Sequence, residues 1–170
     1  MRGRHAIRLL VLDVDGVLTD GRLYFGPGGE ALKVFDVRDG YGLTALQRAG
    51  VAVAVISGRR SSAVSARCRE LKVAHVYQGV DDKLTAFERL RARLRLARTA
   101  CACVGDDLPD VPLMNAVALS FAVADAHPAA RRAAAVVTRR GGGRGAVREV
   151  CDLLLAPAAA TARRRRGGRR

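Results

Sequence analysis

The chain has 170 residues, 49% hydrophobic but only 4% aromatic and without tryptophan, which suits one domain with a core of Ala, Val and Leu and no need of disulfides or a structural metal. Its apolar runs are short and interrupted, which excludes a membrane span of roughly 20 residues. The net charge of +14 rests on 27 arginines against three lysines, scattered apart from six arginines in the last eight residues. With no aromatic interleaving, that pattern argues against nucleic acid as the main partner, and attraction of an anionic metabolite is a sufficient use for it.

The start is basic, but the run after it stops at Asp13 and Asp15, too soon for a signal peptide, so a cytoplasmic location is expected. Ile7 to Leu12 is mostly branched and apolar, as in a buried parallel strand. Leu23 to Phe25 and Leu32 to Phe35, on either side of Gly26-Pro27-Gly28-Gly29, predict a β-hairpin. Asp39 precedes a helical pattern through Leu43 and Leu46 that Gly50 stops. Strand patterns follow over Val51–Ile56, Ala74–Tyr77, Ala100–Val104, Leu119–Val123 and Val136–Thr138. Helical patterns fall between and after them, over Ser61–Leu71, Asp82–Ala97, Pro109–Ala116, His127–Ala134 and Ala146–Leu155. Cys101 and Cys103 share one face of a strand and, with Cys68 and Cys151, read as free thiols rather than a zinc site, since no C-x-x-C pair occurs. Residues 157–170 are low in complexity and read as a disordered Arg-rich tail after one domain over 1–156.

Strands alternating with helices predict an α/β fold, a doubly wound, mainly parallel sheet, which binds ligands beyond the carboxyl ends of its strands. Polar clusters sit at those ends: Asp13 with Asp15, Ser57 with Arg59, and Asp106 with Asp107. Two carboxylates two residues apart can divide phosphate-ester chemistry between them, one attacking phosphorus and the other moving protons. A Mg²⁺ ion on oxygen ligands would offset repulsion between carboxylate and phosphate. Asp106, with Asp107 and Asp110 nearby, supplies acid at the neighbouring strand end. The Ser57 hydroxyl and the Gly58 backbone suit phosphate oxygens. Lys83, rare as a lysine here and placed in a first helical turn, suits them as a compact cation.

In this order, Asp13-Val14-Asp15-Gly16-Val17, Ser57, Lys83 and Gly105-Asp106-Asp107 resemble the four motifs of haloacid dehalogenase-like phosphatases. From residue 7 to 156 the chain also resembles the 3-deoxy-D-manno-octulosonate 8-phosphate phosphatase family, through D-V-D-G-V-L-T-D-G, V-R-D-G-Y-G, I-S-G-R, Y-Q-G-V-D-D-K, V-A-D-A-H-P and G-A-V-R-E-V-C-D-L. The resemblance implies Asp13 as nucleophile and Asp15 as general acid/base. It implies Ser57, Gly58 and Lys83 on the phosphate, and a metal held by Asp13, the Asp15 carbonyl and Asp106. Substrate-contacting positions map onto Asp15, Asp36, Val37, Arg38, Asp39, Gly40, Thr44, Arg59, Arg67 and Lys83. Arg38, Arg59 and Arg67 would suit the carboxylate of a sugar acid. Ser57 stands where many relatives have Thr, which keeps the hydroxyl, and the Arg-rich end departs from the family's composition.

The resemblance further implies a cytoplasmic homotetramer acting in lipopolysaccharide sugar synthesis. The segments 20–39 and 59–83 are too short to hold a cap domain, so a neighbouring subunit is expected to cover the site. The apolar hairpin over 23–35 is the element expected to pair between subunits. Two alternatives stay open: a phosphatase of a nine-carbon, sialic-type ulosonate phosphate, and a non-catalytic oligomeric module on the same fold.

Overall fold

The computed structural model describes residues 7–156; the predicted Arg-rich tail lies outside the described residues. Six parallel strands form the main sheet: β1 (Leu9–Leu12), β4 (Ala52–Ser57), β5 (His75–Gln78), β6 (Cys101–Gly105), β7 (Leu119–Ala122) and β8 (Val136–Val137), in the order β5-β4-β1-β6-β7-β8. The three central strands read LLVL, AVAVIS and CACVG and are almost wholly buried, as a parallel sheet covered on both faces requires. The order departs from β1 in both directions, which opens a crevice at the carboxyl ends of β1, β4 and β6. The doubly wound fold expected from the sequence is the fold observed.

Helix α1 (Val37–Arg48) packs against α6 (Ala146–Leu155), and α3 (Lys83–Arg93), α4 (Val111–Ala116) and α5 (Pro128–Ala133) pack in sequence. Helix α2 (Ser62–Glu70) links β4 to β5 and is capped by the Ser61 side chain. In α6, Ala146, Val147, Val150, Cys151 and Leu154 form one buried stripe at helical spacing. All four cysteines are free and buried.

Three boundaries differ from the sequence reading. The hairpin is β2 (Tyr24–Gly26) with β3 (Gly29–Leu32); Gly26 pairs with Gly29, leaving a two-residue Pro27-Gly28 loop. Such a short connection starts the second strand at the turn rather than at Leu32, so residues 33–36 run on as an unpaired link into α1. Helix α1 is capped by Asp36, whose side chain accepts from Arg38 N, not by Asp39. Asp39 lies in the first turn of α1 instead, and its Oδ1 accepts from Arg148 N at 2.7 Å in the opening turn of α6. Helix α6 has Gly145 at its own N-cap, so α1 lends the capping oxygen that glycine cannot supply. Burial pushes the Asp39 carboxyl up to about 6. Helix α3 stops at Arg93, before the predicted Ala97, where Arg95 turns to a φ of 55°.

Candidate active site

Each functional side chain on the crevice is delivered by a strand end or a helix start. Asp13 follows the last residue of β1, Ser57 is the last residue of β4, and Asp106 follows β6. Lys83 opens α3 behind its N-cap, Asp82. They line one open cleft of about 400 Å³ together with Asp15, Gly58, Arg59, Val80, Asp81, Asp107, Pro109 and Asp110.

The centre of the cleft is a buried charge cluster. Lys83 Nζ lies 2.9 Å from Asp13 Oδ1 and 2.7 Å from Asp110 Oδ1. Oxygens of Asp13, Asp106 and Asp110 all come within 4.8 Å of one another. Asp110 Oδ2 accepts the backbone N–H groups of Asp106 and Asp107 at 2.9 and 3.3 Å, so one carboxylate both grips Lys83 and shapes the loop that carries Asp106. That grip needs Gly105, because a Cβ there would meet the Asp110 Cβ at 2.4 Å.

One ammonium meets two carboxylates, Asp13 and Asp110, with a third, Asp106, beside them. Burial pulls the Lys83 ammonium down, but Asp13 and Asp110 outweigh it, and the net shift is upward. For Asp13, burial and the Asp110 charge outweigh Lys83, and its carboxyl is raised to about 6. Asp106, half-buried and facing Asp13, is raised to about 8, first by desolvation and then by the Asp13 charge. The cation is over-satisfied and the anions under-satisfied, the electrostatic imbalance that a further positive charge would correct. Asp106 Oδ1 is buried with no hydrogen-bond partner, which is what a hard cation's oxygen ligand looks like without the cation. The residues present therefore fit a divalent metal.

Gly16 brings the two acidic loops together. Its φ is +89°, and a Cβ there would lie 2.0 Å from Asp106 Oδ2. Gly16→Ala therefore meets both a disfavoured backbone conformation and a clash with an acidic side chain. We expect a stability loss of at least about 1–2 kcal/mol, read by thermal melting, with a larger fractional loss of activity because Asp106 is displaced.

The cleft gathers Asp13, Asp15, Ser57, Gly58, Arg59, Lys83 and Asp106, the residues that the strand ends and the family resemblance pointed to. It does not gather Asp36, Val37, Arg38, Asp39, Gly40, Thr44 or Arg67, none of which lines it. Thr44 Oγ1 donates to Gly40 O at 3.0 Å within α1, and Arg67 pairs with Glu70 at 2.9 Å. Asp36, Asp39, Gly40 and Arg67 border a small, largely closed cavity between α1 and α2. Asp110 has a signal in the sequence, a further acid four residues after Asp106 in a Pro-flanked turn, but its grip on Lys83 escapes sequence reasoning. Lys33 and Glu30 have none: they reach Asp15 and Arg59 from the hairpin, across distances in sequence that no local pattern records.

Residues 75–147 match the profile of the haloacid dehalogenase-like hydrolase family. Over 147 residues the chain is 56% identical to the 3-deoxy-D-manno-octulosonate 8-phosphate phosphatase KdsC of Escherichia coli K12, which covers 86% of this chain and 78% of that one. This chain belongs to the 3-deoxy-D-manno-octulosonate 8-phosphate phosphatase family. As a member of it, the protein is a phosphoric monoester hydrolase. The crystal structure of the phosphatase from Yersinia pestis superimposes with a TM-score of 0.88 at 51% identity, covering 91% of this chain and 83% of that one. The phosphatase from Moraxella catarrhalis, solved in complex with a magnesium ion, a phosphate ion and a KDO molecule, superimposes with a TM-score of 0.88 at 40% identity, covering 91% of this chain and 88% of that one. Among the described residues no cap covers the cleft: segment 20–39 holds the β2–β3 hairpin and the start of α1, and segment 59–83 holds α2, β5 and the first residue of α3.

Proposed function

We propose that the protein hydrolyses 3-deoxy-D-manno-octulosonate 8-phosphate to the free sugar acid and phosphate, through a phosphoryl group carried transiently on Asp13. The observation that carries this reading is the meeting of Asp13 and Lys83 at 2.9 Å on the same cleft as Asp106. Asp13 attacks phosphorus as the ester oxygen leaves, and Asp15 gives that oxygen its proton. Asp15 then takes a proton from water, which attacks the acyl phosphate and frees Asp13. Lys83 and the Ser57–Gly58 turn hold the phosphoryl oxygens through both steps. Mg²⁺, held by Asp13, the Asp15 carbonyl and Asp106, supplies positive charge to the carboxylate and phosphate oxygens when bound. Arg59, at the rim beside Asp15, meets the sugar acid.

The substrate is taken from the family, and the magnesium, phosphate and KDO bound to the Moraxella relative support it. A phosphate-release screen over sugar phosphates with Mg²⁺ tests it. We expect 3-deoxy-D-manno-octulosonate 8-phosphate to have the highest kcat/KM. Preference for a nine-carbon ulosonate 9-phosphate would move the assignment to the sialic-type substrate, and no turnover of either would overturn it. In this reading the protein acts in lipopolysaccharide sugar synthesis, in the cytoplasm by family likeness. No helix among the described residues is long and apolar enough to cross a membrane.

The active form in this reading is an oligomer, a tetramer by family likeness. Leu23, Phe25, Leu32, Val34, Val37 and Tyr41 are exposed large apolar side chains on the hairpin and the segment after it, with Phe25 at 65% and Val37 at 76%. A two-stranded hairpin with such a surface is stable when something packs on it. Pairing of hairpins between copies would carry the exposed Val37 and Arg38 of one subunit towards the cleft of the next, while Asp39, buried against α6, stays in its own fold. Phe25→Asp combined with Leu32→Asp should give a monomer by sedimentation, with kcat/KM reduced at least about tenfold through lost substrate positioning. A monomer with full activity would refute the shared site.

A further inference from the structure

The chain uses arginine almost everywhere a cation is needed, yet two of its three lysines bury their ammonium groups, and both do so against the D-x-D pair. Lys83 meets Asp13. Lys33, on the link after β3, has a side chain 1% exposed, and its Nζ pairs with Asp15 Oδ1. The same Nζ lies 3.2 Å from Glu30 Oε2. Glu30 is itself held: its Oε1 accepts from Ser61 Oγ at the start of α2, and its Oε2 lies 3.5 Å from Arg59 Nη2. Hydrogen bonding from Ser61 is the main reason the Glu30 carboxyl sits below its usual range. Arg59 closes the ring, with Nε 3.7 Å from Asp15 Oδ2. Two hairpin charges are thus fixed between the Asp15 loop and the Ser57–Ser61 loop.

We propose that Lys33 is the positioning residue for Asp15. The proposal rests on the reading of Asp15 as general acid/base. A free aspartate side chain has two equivalent oxygens and a broad χ2 torsion. With Oδ1 held by a buried ammonium, the rotation is stopped, and Oδ2, which Arg59 meets only at 3.7 Å, is the oxygen left to exchange a proton with the substrate. Asp15 Oδ2–H then gives its proton to the leaving alkoxide as the ester P–O bond breaks and the Asp13 O–P bond forms. A lysine suits the position because its compact ammonium can meet one oxygen of Asp15 and one of Glu30 from a narrow buried approach, where a planar guanidinium would need a wider slot. Glu30 fixes the ammonium in turn, which makes the hairpin part of the catalytic machinery's support.

The leaving group separates this role from simple folding. An alkyl sugar phosphate needs a proton on its leaving oxygen, whereas an aryl phosphate with an acidic phenol leaves without one. The kcat/KM for each reports steps up to release of the leaving group. In Lys33→Met we expect kcat/KM for the sugar phosphate to fall about 100-fold, in the range general acid catalysis contributes. The ratio of sugar-phosphate to aryl-phosphate kcat/KM should fall at least about tenfold. Lys33→Arg should recover part of that ratio, and Glu30→Gln should lower it less than Lys33→Met does. Asp15→Asn, run alongside, must collapse the same ratio. If it does not, the acid role of Asp15 fails. If Asp15→Asn collapses the ratio and Lys33→Met lowers both substrates equally, Lys33 is only a structural residue and the proposal is overturned. Should Lys33→Met not fold, Lys33→Arg decides by the same ratio: an unchanged ratio overturns the proposal.

Discussion

Asp13→Asn is expected to lose at least about 10⁴-fold in kcat while melting within a few degrees of the parent protein. The amide is nearly isosteric but is no nucleophile, so no acyl phosphate can form. The stability expectation follows from the cluster. Asp13 is buried, and its carboxyl is raised to about 6 by burial and by the Asp110 charge. A carboxyl raised in the folded state contributes stability below its unfolded value and loses it as pH rises through about 6, so at neutral pH the charge on Asp13 burdens the fold. Asparagine removes that burden. Lys83 loses one partner but keeps Asp110 at 2.7 Å. Steady-state kinetics beside thermal melting separates the two effects, and a variant that keeps its activity would remove Asp13 from the chemistry.

Lys83→Met is expected to be damaging in both respects. The methionine fills similar volume but leaves Asp13 and Asp110 buried and facing each other with no cation between them. Breaking a buried pair from one side costs about 3–5 kcal/mol, which for a chain of this size lowers the melting temperature by roughly 10 °C. Activity should fall with it, because the phosphoryl oxygens lose their fixed positive charge. The double variant Lys83→Met with Asp13→Asn should be more stable than Lys83→Met alone, since one of the stranded charges is gone. A coupling of about 1–3 kcal/mol between the two positions is the range for residues in one network. Additive effects would mean that the 2.9 Å contact contributes nothing to stability.

The parts of the site that the sequence displays are those tied to strand ends. Asp13, Ser57 and Asp106 each terminate a short apolar run, and a parallel sheet has only one edge where such termini collect. Lys83 is displayed by its placement, a cation where a helix dipole disfavours one. What the sequence hides is set by side-chain direction and by contacts across the chain. Asp39 stands in a strong helix-start pattern, yet its carboxylate turns to α6, over a hundred residues on, because Gly145 leaves that helix uncapped. The hairpin's strands are legible as apolar pairs, but their register follows the Pro27-Gly28 loop, and that register decides where Lys33 points. Asp110 looks like one more acid in an acidic turn; only the fold shows it holding Lys83 and the Asp106 loop together.

The account stands or falls on whether phosphate passes through residue 13. Rapid acid quench of the protein turning over phosphate-labelled substrate with Mg²⁺, followed by borohydride reduction and peptide mass spectrometry, reads this directly. The account predicts an acid-stable, base-labile phosphoryl group on the quenched protein, and after reduction, which releases the phosphate, a homoserine mark at Asp13; both are absent from Asp13→Asn. Turnover without any trapped phosphoryl protein at early times, or label on another residue, would contradict it.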